Sequence, residues 1–482
     1  MGYMNRNLTA IHEAIINGEV TPLELVKEAI KLAKEDENNA FEYICEKEAL
    51  EKVKTLDKSK IGSFLYGIPV VIKDNLATKD IPTTASSNML KDYVPIFSSE
   101  VVTRLENAGA IVIAKATMDE LAMGGSGTTG KLGPTYNPWD KTKKRIIGGS
   151  SCGSAAAISA GVVPVSIGSD TGDSIRKPAS YAGLVGFKPT WGRISRFGLF
   201  PFACSLDHVG YFTRNVYDSA YLLNVLAGRD DKDMSSSFEK VEDYTLRLNE
   251  GVKGTRIAII KNLNKPVING DILNAFDKTI AYLRDKGAIV EEVEIDEKLL
   301  NAIQPTYFIL SSAESASNNA ALDGIKYGQR GKGNSFEEIM INTRTENFSS
   351  RIKKRFVIGS YSMLSENRDE LFVRAQKCRH LIVDSFNKVF EKYDAIYCLA
   401  GSDVAPLMND SDSIFSKSNP IDDILAVGNF GGFPSITLPI GFSKNLPFGA
   451  NLSSKPYYES KLFAIAAELE RGTGLADLVV EK

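Results

Sequence analysis

The stretch VVPVSIGSDTGDSIRKP, Val162 to Pro178, passes from an apolar run into a turn that is almost entirely polar. The run VVPVSIG reads as a strand, and the turn GSDTGDSIRKP after it keeps only Ile175 as an apolar residue. Ahead of it, SSCGSAAAISAG (150–161) reads as a helix of small residues. Further upstream, FLYGIPVVIKDN (64–75) and AIVIAKA (110–116) read as short buried strands, separated by the helix SSEVVTRLENAGA (98–110). Strand, helix, strand in that order predicts a βαβ unit of a mostly parallel sheet. Downstream, GTRIAIIKNL, DILNAFDKTIAYLRDKGA and IVEEVEI repeat the pattern between residues 254 and 295. YDAIYCLA and PSITLPIGF add two strands, and ESKLFAIAAELE closes the chain with a helix.

The expected architecture is therefore α/β: one large domain whose mixed, mostly parallel sheet is covered by helices on both faces. Residues 1–60 read as N-terminal helices, with Thr21-Pro22-Leu23-Glu24 as a capping box. The core spans 61–220, a charged helical insertion 297–392, and closing strands and a helix 393–482. The 482 residues, 43% hydrophobic and 24% charged, suit a globular chain. Lysine and arginine number 57 against 60 acidic residues, so no electrostatic footprint points to nucleic acid binding by this chain alone. Five scattered cysteines without CxxC spacing speak against a disulfide framework or a zinc site, and fit a reducing cytoplasm. No signal peptide and no apolar run long enough for a membrane span is visible.

Two glycine-rich motifs compete for a function. Gly125-Ser-Gly127-Thr-Thr-Gly130 matches GxGxxG, but MDELAM before it and KLGPTYNP after it do not form the strand and helix that a dinucleotide site needs. Gly149-Ser-Ser151-Cys-Gly153 matches the GxSxG elbow of α/β-hydrolases, which makes Ser151 a nucleophile and asks for His208 or His380. Small residues of this kind also serve plain close packing of helix on sheet.

A third arrangement uses both serine-rich segments. Ser150 and Ser174 lie 24 residues apart, each at a boundary between sheet and helix, and Lys73 ends a strand, where open α/β sheets bind ligands. Lysine titrates near ~10.4 in water, and burial lowers that by up to about 3–5 units. A buried, neutral Lys73 could take a proton from Ser150, which relays one from Ser174, and no histidine is required. Asp74 follows in the strand and points to the other face. Thr171, Gly172, Asp173 and Ser174 can turn successive backbone N–H groups toward one point, and such donors stabilise an oxyanion by roughly 2.7–4 kcal/mol each. The bland reading of a lysine at a strand end is a solvated charge.

GIPVVIKDN (67–75), GGSSCGSAAA (148–157) and GSDTGDSIRKPASYAGLVGFKPTWGRISRFG (168–198) resemble the amidase signature family. The resemblance implies a Ser–cis-Ser–Lys triad, with Ser174 as nucleophile, Ser150 in a cis peptide, Lys73 as base, and oxyanion donors on the backbone of 171–174. Within the family the chain is most similar to the glutamine-hydrolysing A subunits of tRNA-dependent amidotransferases, through MDELAMG, GPTYNPWD, SSAESASNNAALDGIKYG, RIKKRF and GGFPSITLPIGF. This implies a heterotrimer with B and C subunits, glutamine bound at Tyr307, Arg355 and Asp423, and charged tRNA held mostly by the partner. It implies no metal or cofactor in this chain, with ATP and magnesium used by the partner. A free-standing amidase and a catalytically impaired scaffold stay open as alternatives. The chain departs from the family at Asp173 and Cys152, where glycine is usual, and in SLDHVGY, where SLDQIGP is usual. Asp173 matters most, because glycine would give that turn freedom of backbone angle.

Overall fold

The apolar run IVIAKA forms a strand with every residue buried, and PVVIK before it does the same. In the computed structural model, which describes residues 2–410 and 419–481, these are β2 (Pro69–Lys73) and β3 (Ile111–Ala116) of one sheet. The other strands are β1 (Phe41–Ile44), β4 (Val165–Asp170), β5 (Val185–Lys188), β6 (His208–Thr213), β7 (Arg256–Ile260), β8 (Ile289–Val293), β9 (Ala395–Leu399), β10 (Ser435–Ser443) and β11 (Leu446–Ser453). Their order is β1-β3-β2-β4-β6-β5-β10-β11-β9-β7-β8.

Both predicted βαβ units are present. The helix α4 (Glu100–Asn107) connects β2 to its parallel neighbour β3, and α8 (Gly270–Asp285) connects β7 to its parallel neighbour β8. The parallel character is concentrated in two blocks, β3-β2-β4 and β9-β7-β8, while pairing between them and at β1 is antiparallel. The local reason is visible at β10 and β11. Lys444 (φ 51°) and Asn445 (φ 62°) make a two-residue turn of left-handed backbone, the geometry that closes a tight hairpin and reverses the chain.

The N-terminal sixty residues are not wholly helical. α1 (Leu8–Ile16), α2 (Pro22–Lys34) and α3 (Glu46–Lys54) are there, but β1 lies between the last two and pairs with β3. The capping box at the start of α2 is formed: the Glu24 N–H donates to Thr21 Oγ1, and the Thr21 N–H donates to Glu24 at 2.8 Å. Between residues 297 and 392 lie α9 (Glu297–Asn301), α10 (Ile303–Asn318), α11 (Phe336–Asn347), α12 (Ser350–Met363) and α13 (Arg374–Phe390). Among the described residues no helix is long and apolar enough to cross a membrane.

Two short helices pack at the ends of the central strands. α5 (Cys152–Ser159) is buried along its whole length, which CGSAAAIS permits because small side chains let helix and sheet approach closely. α6 (Arg176–Ala182) starts straight after the polar turn that leaves β4. The carboxyl ends of β2 and β4 therefore meet the beginnings of α5 and α6.

Candidate active site

Lys73 is the last residue of β2, and Ser169 and Asp170 are the last of its parallel neighbour β4. Lys73 has no solvent exposure, although it is a full-length lysine. Its Nζ lies 2.8 Å from Ser150 Oγ, 2.9 Å from Ser151 Oγ, and 2.9 Å from Ser169 Oγ. Burial pushes its pKa down to about 7, and Asp119, Asp170 and Asp207 oppose that shift only in part. Asp74 does point the other way, where it accepts from Thr84 and faces Lys115 at 3.6 Å.

A neutral amine has two N–H donors and one lone pair. Ser151 sends its proton to the Ser169 carbonyl at 3.0 Å, so its oxygen accepts one amine N–H. Ser169 accepts the other, alongside an N–H from Asn75. The lone pair is left for the Ser150 hydroxyl. In the protonated form all three hydroxyls accept instead. The cluster thus suits a lysine that alternates between the two states.

The Gly149–Ser150 peptide bond is cis. A Cβ at Gly149 would fall on the Asp119 carboxylate, so only glycine fits there. Ser174 is 4% exposed, and its carbonyl accepts the Ser151 N–H at 3.3 Å. Among the described contacts its hydroxyl makes no hydrogen bond to Ser150, so of the two relay links only Lys73–Ser150 is drawn tight. Links of this kind tighten in substrate complexes.

Around Ser174 the chain is held by a buried ion pair. Arg176 donates to Asp170 through Nη2 (2.8 Å) and Nε (3.1 Å), and to the Gly172 carbonyl at 2.8 Å. The Asn429 side chain completes the set on both partners. Arg176 holds the Asp170 carboxyl well below the usual range, despite its burial. With the turn braced from its carbonyl side, the backbone N–H groups of Thr171, Gly172, Asp173 and Ser174 find no protein acceptor among the described residues. Four such donors beside a serine hydroxyl can meet an oxyanion. Breaking the brace has a defined cost. Arg176→Met strands a buried carboxylate and should lower unfolding free energy by about 3–5 kcal/mol in urea titration, with Asp170→Asn in the same chain restoring much of it.

Asp173 does not strain the turn. Its φ lies outside the left-handed region, so the freedom of a glycine is not called upon. Gly172 is the position with a steric reason, because a Cβ there would come within 2.9 Å of the Tyr307 ring. Cys152 is also benign: its buried thiol is pushed up to about 12 and accepts from Thr135.

Above the turn opens a cavity of about 630 Å³, and Gly172, Asp173, Tyr307, Arg355 and Asp423 all line it. Tyr307 comes from α10 and Arg355 from α12, while Asp423 ends the short helix Pro420–Asp423. The Arg355 guanidinium stacks over Phe202 (5.2 Å) and Phe308 (4.9 Å), and Nη1 donates to Ser311 Oγ at 3.2 Å. Three residues separated by up to 116 positions in sequence thus face one space with the polar turn.

The competing motifs resolve differently. Ser151 is occupied by Lys73 and the Ser169 carbonyl, His208 bonds the Leu206 carbonyl, and His380 is an exposed residue of α13 facing Asp384. Among the described contacts neither histidine reaches Ser151, so the hydrolase elbow lacks the histidine that its mechanism needs. The GxGxxG segment wraps Asp119, which accepts the N–H groups of Gly127, Thr128 and Thr129. Sequence reading missed Asp119, Asn429 and Asp207, which takes the Thr171 hydroxyl at 2.7 Å.

Known proteins resemble the chain over nearly its whole length. The family model described as amidase matches residues 24–463. The A subunit of the glutamyl-tRNA(Gln) amidotransferase of Pediococcus pentosaceus is 38% identical over 483 aligned residues, covering 98% of each chain. The crystal structure of the protein of that name from Thermotoga maritima superposes with a TM-score of 0.72 at 33% identity, covering 94% of each chain. A peptide amidase from Stenotrophomonas maltophilia superposes at 0.82 with 25% identity and 97% coverage of each.

Proposed function

The chain belongs to the amidase family, and from that premise we propose that it is the glutamine-hydrolysing subunit of a tRNA-dependent amidotransferase. Its relatives of that name align end to end with it. The observation that carries the reading is the Lys73 amine, sealed from water, held near neutrality and bonded to Ser150 under a cavity of mixed charge.

In this reading Ser174 Oγ attacks the side-chain carboxamide carbon of glutamine. Its proton passes to Ser150, whose own proton passes to the Lys73 lone pair. The carbonyl oxygen becomes an oxyanion at the N–H groups of 171–174. Collapse of the tetrahedral intermediate breaks the C–N bond, and the relay runs backward to deliver the proton that lets ammonia leave. Water then attacks the γ-glutamyl ester by the same relay, which releases glutamate and restores Ser174. The ammonia passes to a partner B subunit, which activates glutamate on tRNA(Gln) with ATP and magnesium, and a C subunit completes the heterotrimer. Arg355 pairs with the substrate α-carboxylate and Asp423 with its α-ammonium, the charges each can complement.

The test is ammonia release from glutamine by the chain purified with its co-purifying partners, with and without charged tRNA. Brisk hydrolysis of aryl amides by the chain alone, with no response to partners, would make it a free-standing amidase. A further expectation concerns Arg355. Lysine cannot reproduce a planar guanidinium stacked between two phenylalanines, so Arg355→Lys should raise KM for glutamine roughly 10-fold or more, with kcat changed much less.

A further inference from the structure

Asp173 belongs to the oxyanion turn and precedes Ser174, yet it is partly exposed and lines the substrate cavity while Thr171, Gly172 and Ser174 are buried. Its backbone carbonyl accepts the Lys177 N–H at 2.9 Å, whereas its carboxyl has neither a hydrogen bond nor an ion pair among the described residues. The charged groups around it are uneven. Lys177 is already engaged by Asp422, at 3.2 Å, and Asp422 is further held by Ser402. Asp423 faces the same space. Among the described residues this corner brings the carboxyls of Asp173, Asp422 and Asp423 together with the Lys177 ammonium. Arg176 lies below it but is committed to Asp170.

The same cavity also holds groups of the reverse sign. α12 presents Arg351, Lys354 and Arg355 to the cavity. A ligand that is positive at one end and negative at the other matches both sets, and a ligand with only one charge matches one. Burial, with Asp170 and Asp423 adding to it, lifts the Asp173 carboxyl to about 7. A cation entering that corner would relieve the crowding of negative charge and favour the ionised form.

We infer that Asp173 is a specificity-determining residue, whose carboxylate joins Asp423 in holding the α-ammonium of the amide donor. The inference rests on the cavity being the glutamine site. Residue 173 directly precedes Ser174, so an amide carbon at Ser174 leaves the remainder of a short amino acid to the cavity that Asp173 lines. The cavity then selects α-amino acid amides against amides that carry no ammonium group.

The discriminating pair is glutamine and glutaric acid monoamide, which is glutamine without its α-amine. Ammonia release from both is measured for the wild-type complex and for complexes carrying Asp173→Asn or Asp173→Ala, with thermal unfolding as a check on folding. The expected result for both variants is a KM for glutamine raised about 10-fold and a glutamine-to-monoamide ratio of kcat/KM lowered by about the same factor. If the monoamide is turned over too slowly, its inhibition constant against glutamine serves in place of kcat/KM. A preserved preference for glutamine over the monoamide overturns the inference, as does an equal fall in kcat for both amides, which would assign residue 173 to the geometry of the turn. A wild-type complex that releases no ammonia from glutamine sinks the glutaminase reading itself, and that result is distinct from the other two.

Discussion

Ser174→Ala should abolish ammonia release from glutamine, by about 10⁴-fold or more, and leave amidation supplied with free ammonia intact. The substitution is clean because of how Ser174 is held. Its contact with the cluster runs through its backbone carbonyl to the Ser151 N–H, which alanine keeps. Its hydroxyl holds no other group in place among the described contacts, so removing it leaves the Arg176–Asp170 brace and the four N–H donors where they are. What disappears is the atom that forms the ester. Ser151→Ala is the informative companion. It removes one of the acceptors of Lys73 but not the attacking oxygen, so activity should fall while a glutamine-dependent rate remains. The two serines exchange these outcomes if the hydrolase elbow is the true site. The assay is ammonia release and tRNA amidation, each run with glutamine and with ammonium chloride.

The parts of the fold that could be read in advance are those in which one short segment contains its own reason. β2, β3, β7 and β9 are apolar runs whose burial on both faces leaves no alternation to interpret. β1 escaped because FEYI is only half-buried and stands between charged helices. β5 and β6 are rich in glycine or polar residues, and they become strands by pairing with β10 and β4, which lie well away in sequence. The site divides along the same line. Lys73, Ser150 and Ser174 lie in compact segments with unusual composition, whereas Asn429 reaches Asp170 across 259 positions and gives no local signal. The acidic side chain at 173 was visible as an oddity in a glycine turn. Its meaning required the cavity, to which α12 brings residues of opposite charge.

Lys73 should show the relay directly in its pH dependence. The base must be neutral to accept a proton, so kcat/KM should rise with pH through an apparent pKa near 7 and level off above it. Asp173, lifted to about 7, titrates in the same window, and the two give a joint profile. In Asp173→Asn the remaining acid limb belongs to the lysine. Lys73→Met removes the limb along with the activity, by at least about 10²–10⁴-fold. Stability should move differently. The folded pKa is lowered from 10.5 to about 7, so between those values the unfolded chain holds a proton that the folded chain lacks. Wild-type stability therefore rises with pH across that interval, and at neutral pH the buried amine carries a penalty on the order of 4–5 kcal/mol. Methionine fills similar space without that penalty but forfeits the bonds to Ser150, Ser151 and Ser169, each worth about 1 kcal/mol. An inactive Lys73→Met protein at least as stable as wild type at pH 7, with a flatter stability profile from pH 7 to 10, is the expected pairing. A variant that unfolds readily at pH 7, or a wild type whose activity is level down to pH 5, would mean that the amine is charged and structural.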